Sequence, residues 1–111
     1  MKKENYVSFV IPAYNEEAII DKHIRIVIDY LVSLSKYKWE IVLINDGSKD
    51  QTAQIADKLE LEFENLRVIH HPINLNLGHA IQTGFSNAKG EIIVVLDIDL
   101  SYSVDHIELL V

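Results

Sequence analysis

The stretch WEIVLINDGSKDQTAQIADKLELE, Trp39 to Glu62, changes its hydrophobic rhythm once, and that change decides the fold class. From Trp39 to Asn45 it is a mostly apolar run of strand length. DGSKD follows as a turn: Gly47 admits a positive φ, and Ser48 or Asp50 can cap a helix. From Gln51 to Glu62, Ala53, Ile55, Ala56 and Leu59 recur at helical spacing. A strand, a turn and a helix in succession form the unit from which parallel sheets are built.

The unit recurs on both sides. Upstream, YVSFVI (Tyr6–Ile11) reads as a buried strand that Pro12 ends. A helix is predicted from Glu16 to Lys36, with Ile20, Ile24, Val27, Ile28, Leu31 and Leu34 on one face. Asn15 is its natural N-cap, and Glu16 and Glu17 suit the positive end of the helix dipole. Downstream, LRVIH (Leu66–His70) is a third strand, HPINLNLG a loop, and Gly78–Ala88 a helix carrying Ala80, Ile81, Gly84 and Phe85. Lys89–Gly90 supplies a C-cap, Glu91–Leu96 is a fourth strand, and a last helix begins near Ser103. Four alternations predict an α/β fold: a mostly parallel sheet, helices on both faces, right-handed crossovers. At 111 residues the chain suits one domain.

Composition narrows the function. The net charge of −7, from 10 basic and 17 acidic side chains, argues against nucleic acid, whose binding leans on clustered Lys and Arg. The same balance suits a metal cation or an ordinary solvated acidic surface. Absence of cysteine excludes a thiol nucleophile, a disulfide framework and thiolate metal sites, and is compatible with a reducing cytoplasm, the expected compartment. The opening MKKENYVSFVIPAYNEE has the lysines of a secretory leader, but its apolar part is short and Pro12 and Glu16–Glu17 follow at once. No run approaches the roughly 18 apolar residues of a membrane span.

Every unusual polar cluster falls at the C-terminal end of a predicted strand, the edge where open α/β sheets bind ligands. In PAYNEE, Tyr14 offers a flat face for a base and Glu16 a partner for a ribose hydroxyl; a strand-to-helix turn explains the same residues. In NDGSKD, Asp46 is placed to accept hydrogen bonds from a nucleobase, whereas Gly47, Ser48 and Asp50 are accounted for by a turn and a cap. Gly78 leads into a helix whose free amides can face an anion, or is simply a loop glycine. Neither G-x-x-x-x-G-K-[ST] nor G-x-G-x-x-G occurs, which leaves no P-loop and no dinucleotide fingerprint. His70, His71 and His79 cluster without a zinc spacing. In IIVVLDIDLSYS (Ile92–Ser103), Asp97 and Asp99 point to one side if the strand stays extended past Leu96. Two hard oxygen ligands so placed suit one Mg²⁺ or Mn²⁺, leaving positions for water and substrate phosphate.

VIPAYNEE, LINDGSKDQT, NLGHAIQTGFSNAKGE and IIVVLDIDLSYSVDHI together, in this order and spacing, resemble the nucleotide-binding half of family 2 glycosyltransferases. DIDLSYS and GHA resemble most the branch of polyprenyl-phosphate mannose and glucose synthases, although Leu75 stands where that branch often carries a basic residue. The resemblance implies the GT-A fold with a Rossmann-like nucleotide half. It implies that Pro12, Ala13, Tyr14 and Glu16 line the base and ribose pocket and that Asp46 bonds the base. Gly78 would approach the nucleotide, and Asp97 and Asp99 would form the D-x-D that holds the ribose side and the Mg²⁺ or Mn²⁺ on the diphosphate. The expected partner is a nucleotide-diphosphate sugar, UDP- or GDP-linked, and the expected reaction an inverting transfer to polyprenyl phosphate or an envelope glycan precursor. The membrane would enter only through the acceptor lipid or a missing C-terminal part, at its inner face.

Such enzymes usually continue for about another hundred residues with an acceptor-side general base. Asp105 and Glu108 read instead as early-helix acids, so the base is expected beyond Val111, with the acceptor half absent, no turnover by this chain alone, and self-association through exposed apolar surface. Two other readings stay open. DIDLS matches the D-x-D-x-[ST] of haloacid dehalogenase-type phosphatases, with Asp97 as nucleophile and Asp99 as acid/base, although that motif normally opens its domain. A non-catalytic α/β interaction module is the other.

Overall fold

The computed structural model describes residues 6–34 and 38–99. Their elements alternate: β1 (Tyr6–Ala13), α1 (Ile20–Ser33), β2 (Lys38–Asp46), α2 (Thr52–Glu62), β3 (Leu66–His71), α3 (Asn76–Asn87) and β4 (Ile92–Val95). The strands form one parallel sheet in the order β3-β2-β1-β4. The chain thus steps outward from β1 to β3 and returns to the other side of β1. Crossovers of constant hand must place the helices of the return step on the opposite face. Accordingly α1 and α2 cover one face and α3 the other.

Strand alternation divides the core accordingly. Phe9, Ile11, Ile41 and Leu43 pack with Ile20, Ile24, Val27, Ile28, Leu31, Ala56 and Leu59. Val10, Val42 and Ile44 meet Ala80 of α3. Small residues let α3 sit close: a Cβ on Gly84 would fall 2.2 Å from Val10 Cγ1. α3 packs over β1 and β2; on β4, Ile93 and Val95 stay partly exposed.

At the N-terminal ends of the strands, Glu40 is buried but fully engaged. Its Oε2 accepts from Ser8 Oγ at 2.6 Å and the Lys89 N–H at 2.7 Å, and its Oε1 from Arg67 Nη2 at 3.0 Å. Burial pushes the Glu40 carboxyl up, but the Lys89, Ser8 and Arg67 donors outweigh it and hold the carboxyl below its usual range. Gly90 belongs to this cluster. It has no positive φ and makes no helix cap; its N–H donates to Ser8 Oγ at 2.8 Å, and a Cβ there would lie 2.7 Å from Ser8 N.

Several boundaries differ from the sequence reading for tertiary reasons. β1 runs through Pro12, which pairs in register with Ile44. Val10 accepts from the Leu96 N–H, so in alternation Pro12 also faces the β4 side, where the last registered pair is Val10–Val95. The missing N–H therefore costs no ladder bond with β2. α1 begins at Ile20, not Glu16, and Leu34 is its C-cap. α3 begins at Asn76, placing Gly78 inside its first turn rather than before it. β4 ends at Val95, so Asp97 and Asp99 do not continue an extended strand. Lys36 and the helix expected from Ser103, with Asp105, Glu108 and Val111, lie outside the described residues.

Candidate functional site

The sheet order reverses at β1, so the crevice of interest opens above the C-terminal ends of β2, β1 and β4. Its best-built wall is at β2 and β3. Asp46, the last residue of β2, is 3% exposed and registered with His71, the last residue of β3. His71 Nδ1 lies 2.7 Å from Asp46 Oδ1, and the Leu75 N–H donates to the same oxygen at 3.0 Å. Asn74 Nδ2 donates to Asp46 Oδ2 at 3.1 Å. On the far side of the ring, His71 Nε2 is 2.8 Å from Thr83 Oγ1 of α3. Since Nδ1–H donates to the carboxylate, the neutral ring accepts the threonine proton at Nε2. A carboxylate offers about four acceptor positions; these three donors leave Asp46 about one for a ligand.

Gly47 completes that wall. Its φ is +69°, and a Cβ would lie 2.2 Å from the Ile73 carbonyl carbon, so loop 72–75 rests directly on the glycine. Asn76, also left-handed at φ 75°, opens α3, and its Oδ1 accepts from the His79 N–H at 3.4 Å. The result is a cleft of about 240 Å³ lined by Pro12, Ala13, Tyr14, Asp46, Asn74, Asn76, Leu77 and Ala80.

PAYNEE is shaped by its neighbour, not by a helix. Asn15 is no N-cap: at φ 53° it lies in the left-handed region, its N–H donates to Ser48 Oγ at 2.9 Å, and its Oδ1 accepts from the Lys49 N–H at 2.8 Å. The Glu16 N–H donates to Thr52 Oγ1 at 2.8 Å, and the Glu17 N–H to Asp50 Oδ2 at 3.2 Å. Asp50 also takes the Thr52 N–H at 2.9 Å, as the sequence reading allowed. Burial, then the charges of Asp99 and Asp50, raise the Glu16 carboxyl above its usual range, with His23 opposing. Glu16 thus stands within electrostatic reach of the D-x-D.

That motif forms a turn. Ile98 is 6% exposed and joins the core on the α1 side, while Asp97 and Asp99 on either side of it are exposed. Among the described residues no three His, Asp or Glu side chains converge as a ready-made metal cage. The donor set is two hard, exposed carboxylates two positions apart, which fits Mg²⁺ or Mn²⁺ sharing its remaining positions with water and phosphate.

Of the sequence candidates, Pro12, Ala13, Tyr14 and Asp46 line one cleft. Glu16, Asp97 and Asp99 stand outside its lining, with Glu16 and Asp99 coupled through their charges, and Gly78 is exposed on α3. Asn74, Asn76 and Leu77 were missed: Asn74 reads only as loop, and Asn76 and Leu77 open the NLGHAIQTGFSNAKGE segment, in which only Gly78 was given a role. His70 and His71 hold neighbouring elements instead: His70 Nδ1 accepts from Asn45 Nδ2 at 2.9 Å and its Nε2–H meets Asp57 Oδ1 at 2.8 Å.

A parallel α/β sheet with a cleft and a carboxylate turn at its switch point places this chain among the open α/β proteins, whose ligand edge lies there. The family is settled by comparison: the model of glycosyl transferase family 2 matches residues 8–111, and the chain belongs to that family. A dolichyl-phosphate beta-glucosyltransferase of Trichomonas vaginalis is 38% identical over 109 residues, covering 95% of this chain and 34% of the relative. An undecaprenyl-phosphate 4-deoxy-4-formamido-L-arabinose transferase of Salmonella choleraesuis is 41% identical over 107 residues, with 95% and 32% covered. Among solved structures, a mannosyltransferase from Pyrobaculum calidifontis in complex with GDP-Man and Mn²⁺ superposes with a TM-score of 0.74 at 25% identity, over 87% of this chain and 28% of that one. The chain spans about a third of the length of the curated relatives it matches. Family membership supersedes the phosphatase reading of DIDLS. Among the described residues, no helix is long and apolar enough to cross a membrane.

Proposed function

We propose that residues 1–111 form the nucleotide-sugar-binding part of an inverting glycosyltransferase. Its donor is a UDP- or GDP-linked sugar and its acceptor polyprenyl phosphate or a related envelope glycan precursor, met at the inner face of the membrane. The observation that carries this reading is the convergence of Pro12, Ala13, Tyr14 and Asp46 on one cleft, with Glu16 and Asp99 in electrostatic reach beside it.

In this reading Tyr14 lies against the base, and Asp46 spends its remaining acceptor position on a base N–H. Pro12 and Ala13 form the floor, Glu16 takes a ribose hydroxyl, and the amide of Gly78, in the first turn of α3, faces the nucleotide. Asp97 and Asp99 hold the diphosphate end with Mg²⁺ or Mn²⁺, which when bound neutralises the charge developing on the leaving diphosphate. The acceptor oxygen forms its bond to the anomeric carbon as the bond to the diphosphate breaks. The general base for that step is assigned to no residue up to Val111, and the chain by itself is expected to bind donor without turnover.

Calorimetry with UDP and GDP, each with and without Mn²⁺, tests this. Binding of one nucleotide, strengthened by the metal and lost in Asp99→Ala, is the expected outcome. A folded chain that binds neither nucleotide in the presence of metal overturns the proposal.

A further inference from the structure

The residue between the two aspartates is held from α1 at two points. His23 Nδ1 lies 2.6 Å from the Ile98 carbonyl oxygen. A carbonyl only accepts, so Nδ1 carries the proton in this contact. The Ile98 side chain is buried in the cluster that includes Ile20 and Ile24 of α1. The backbone oxygen and the side chain of Ile98 are both directed to α1, and Asp97 and Asp99 on either side of it are exposed. Opposing this, the Asp99 charge acts on Glu16, whose carboxyl is raised first by burial and then by Asp99 and Asp50. A turn that gathers negative charge needs a fixed backbone to hold its shape before any cation arrives.

We propose that His23 is a positioning residue for the D-x-D turn: its Nδ1–H anchors the Ile98 carbonyl so that Asp97 and Asp99 are presented together to the cation and the diphosphate. The inference rests on the nucleotide-binding reading above, but the anchor itself can be tested without a nucleotide. His23 is not among the residues that line the cleft, although its charge reaches Glu16, so its role separates from that of Asp46.

Three variants divide the possibilities. His23→Ala removes the ring, His23→Phe keeps its bulk without the donor, and His23→Asn keeps an N–H close to the Nδ1 position. Amide hydrogen exchange across residues 96–99, with loop 72–75 as internal control, reads the anchor directly. Exchange in the Ala and Phe variants is expected to quicken about tenfold at 96–99 and not at 72–75, with Asn restoring protection. Affinity for Mn²⁺ with UDP or GDP is expected to fall about tenfold in the same two variants, while metal-free uridine or guanosine binding stays unchanged.

Unchanged exchange at 96–99 overturns the proposal, as does an equal loss of nucleoside and metal–nucleotide binding, or failure of Asn to rescue. Nitrogen chemical shifts of His23 give a check that needs no variant to fold: the Nδ1–H tautomer is expected, and an Nε2–H tautomer overturns the assignment. Should the wild-type chain bind no nucleotide at all, the proposed function fails, while the exchange and tautomer measurements still decide the anchor.

Discussion

The two ends of the crevice are built differently. At the β2–β3 end, Asp46 takes hydrogen bonds from His71, Asn74 and Leu75, and Gly47 touches the backbone of the loop they hold. At the β4 end, Asp97 and Asp99 project from a turn fixed through Ile98, with Glu16 close enough to repel Asp99. The first is a wired wall, with most of its polar groups paired before any ligand arrives and about one acceptor position of Asp46 left over. The second concentrates like charge at solvent and is completed by what binds there. A base demands shape and fixed donors and acceptors, whereas a diphosphate demands charge.

Substitutions should break the first end through stability and the second through binding. Gly47→Val carries the largest expected effect: a side chain at φ +69° and 2.2 Å from Ile73 should cost about 3 kcal/mol or more in urea unfolding and abolish nucleoside binding. Asp46→Ala should cost about 3 kcal/mol, because it removes a buried carboxylate that takes hydrogen bonds from His71, Asn74 and Leu75. Asp99→Ala should shift unfolding by less than about 0.5 kcal/mol, as surface substitutions do, yet weaken Mn²⁺-dependent nucleotide binding by at least about tenfold. Equal destabilisation by Asp46→Ala and Asp99→Ala would erase the contrast.

The smallest effect sharpens it. The Glu16 carboxyl is raised in the folded chain, so that chain holds more protons than the unfolded one between the ordinary and the raised value, and stability falls as pH rises through that window. Glu16→Gln should remove this slope and add about 0.5 kcal/mol near neutral pH, while weakening nucleotide binding. Glu40 has the opposite sign: held below its usual range, it contributes stability above that range that is lost as pH falls through its folded value. Thermal melts of the two variants, Glu16→Gln and Glu40→Gln, across acid to neutral pH separate these slopes.

Much of this was legible in the sequence. The change of period at Asn45 gave a strand and a helix within one residue of their observed bounds, and polar clusters from the first three strand ends contribute residues to the one cleft described at that edge. What was not legible depended on distant partners. Asn15 has the chemistry of a cap, but the Lys49 N–H that captures its side chain lies 34 residues away. Pro12 ends a strand by local rule and is tolerated here because β4 stops opposite Val10. His70 and His71 read as a loose histidine cluster until register set them beside Asn45 and Asp46. Two consecutive polar residues at the end of a buried strand, facing two at the end of the next, were the available signal. Asn74 had none, since its place follows from Gly47 and Asp46, and Asn76 and Leu77 lay in a matching segment that by itself assigned them no contact.

Pro12 has one further effect. In the parallel register the next donor from β1 toward β4 would be its N–H, reaching for the Leu96 carbonyl. Proline lacks that hydrogen, so the zipper between the two strands loses a tooth one step beyond Val10. β4 is released at that point and swings Ile98 toward α1. The imino ring thereby sets the last rung of the ladder, and the two aspartates lie just past it.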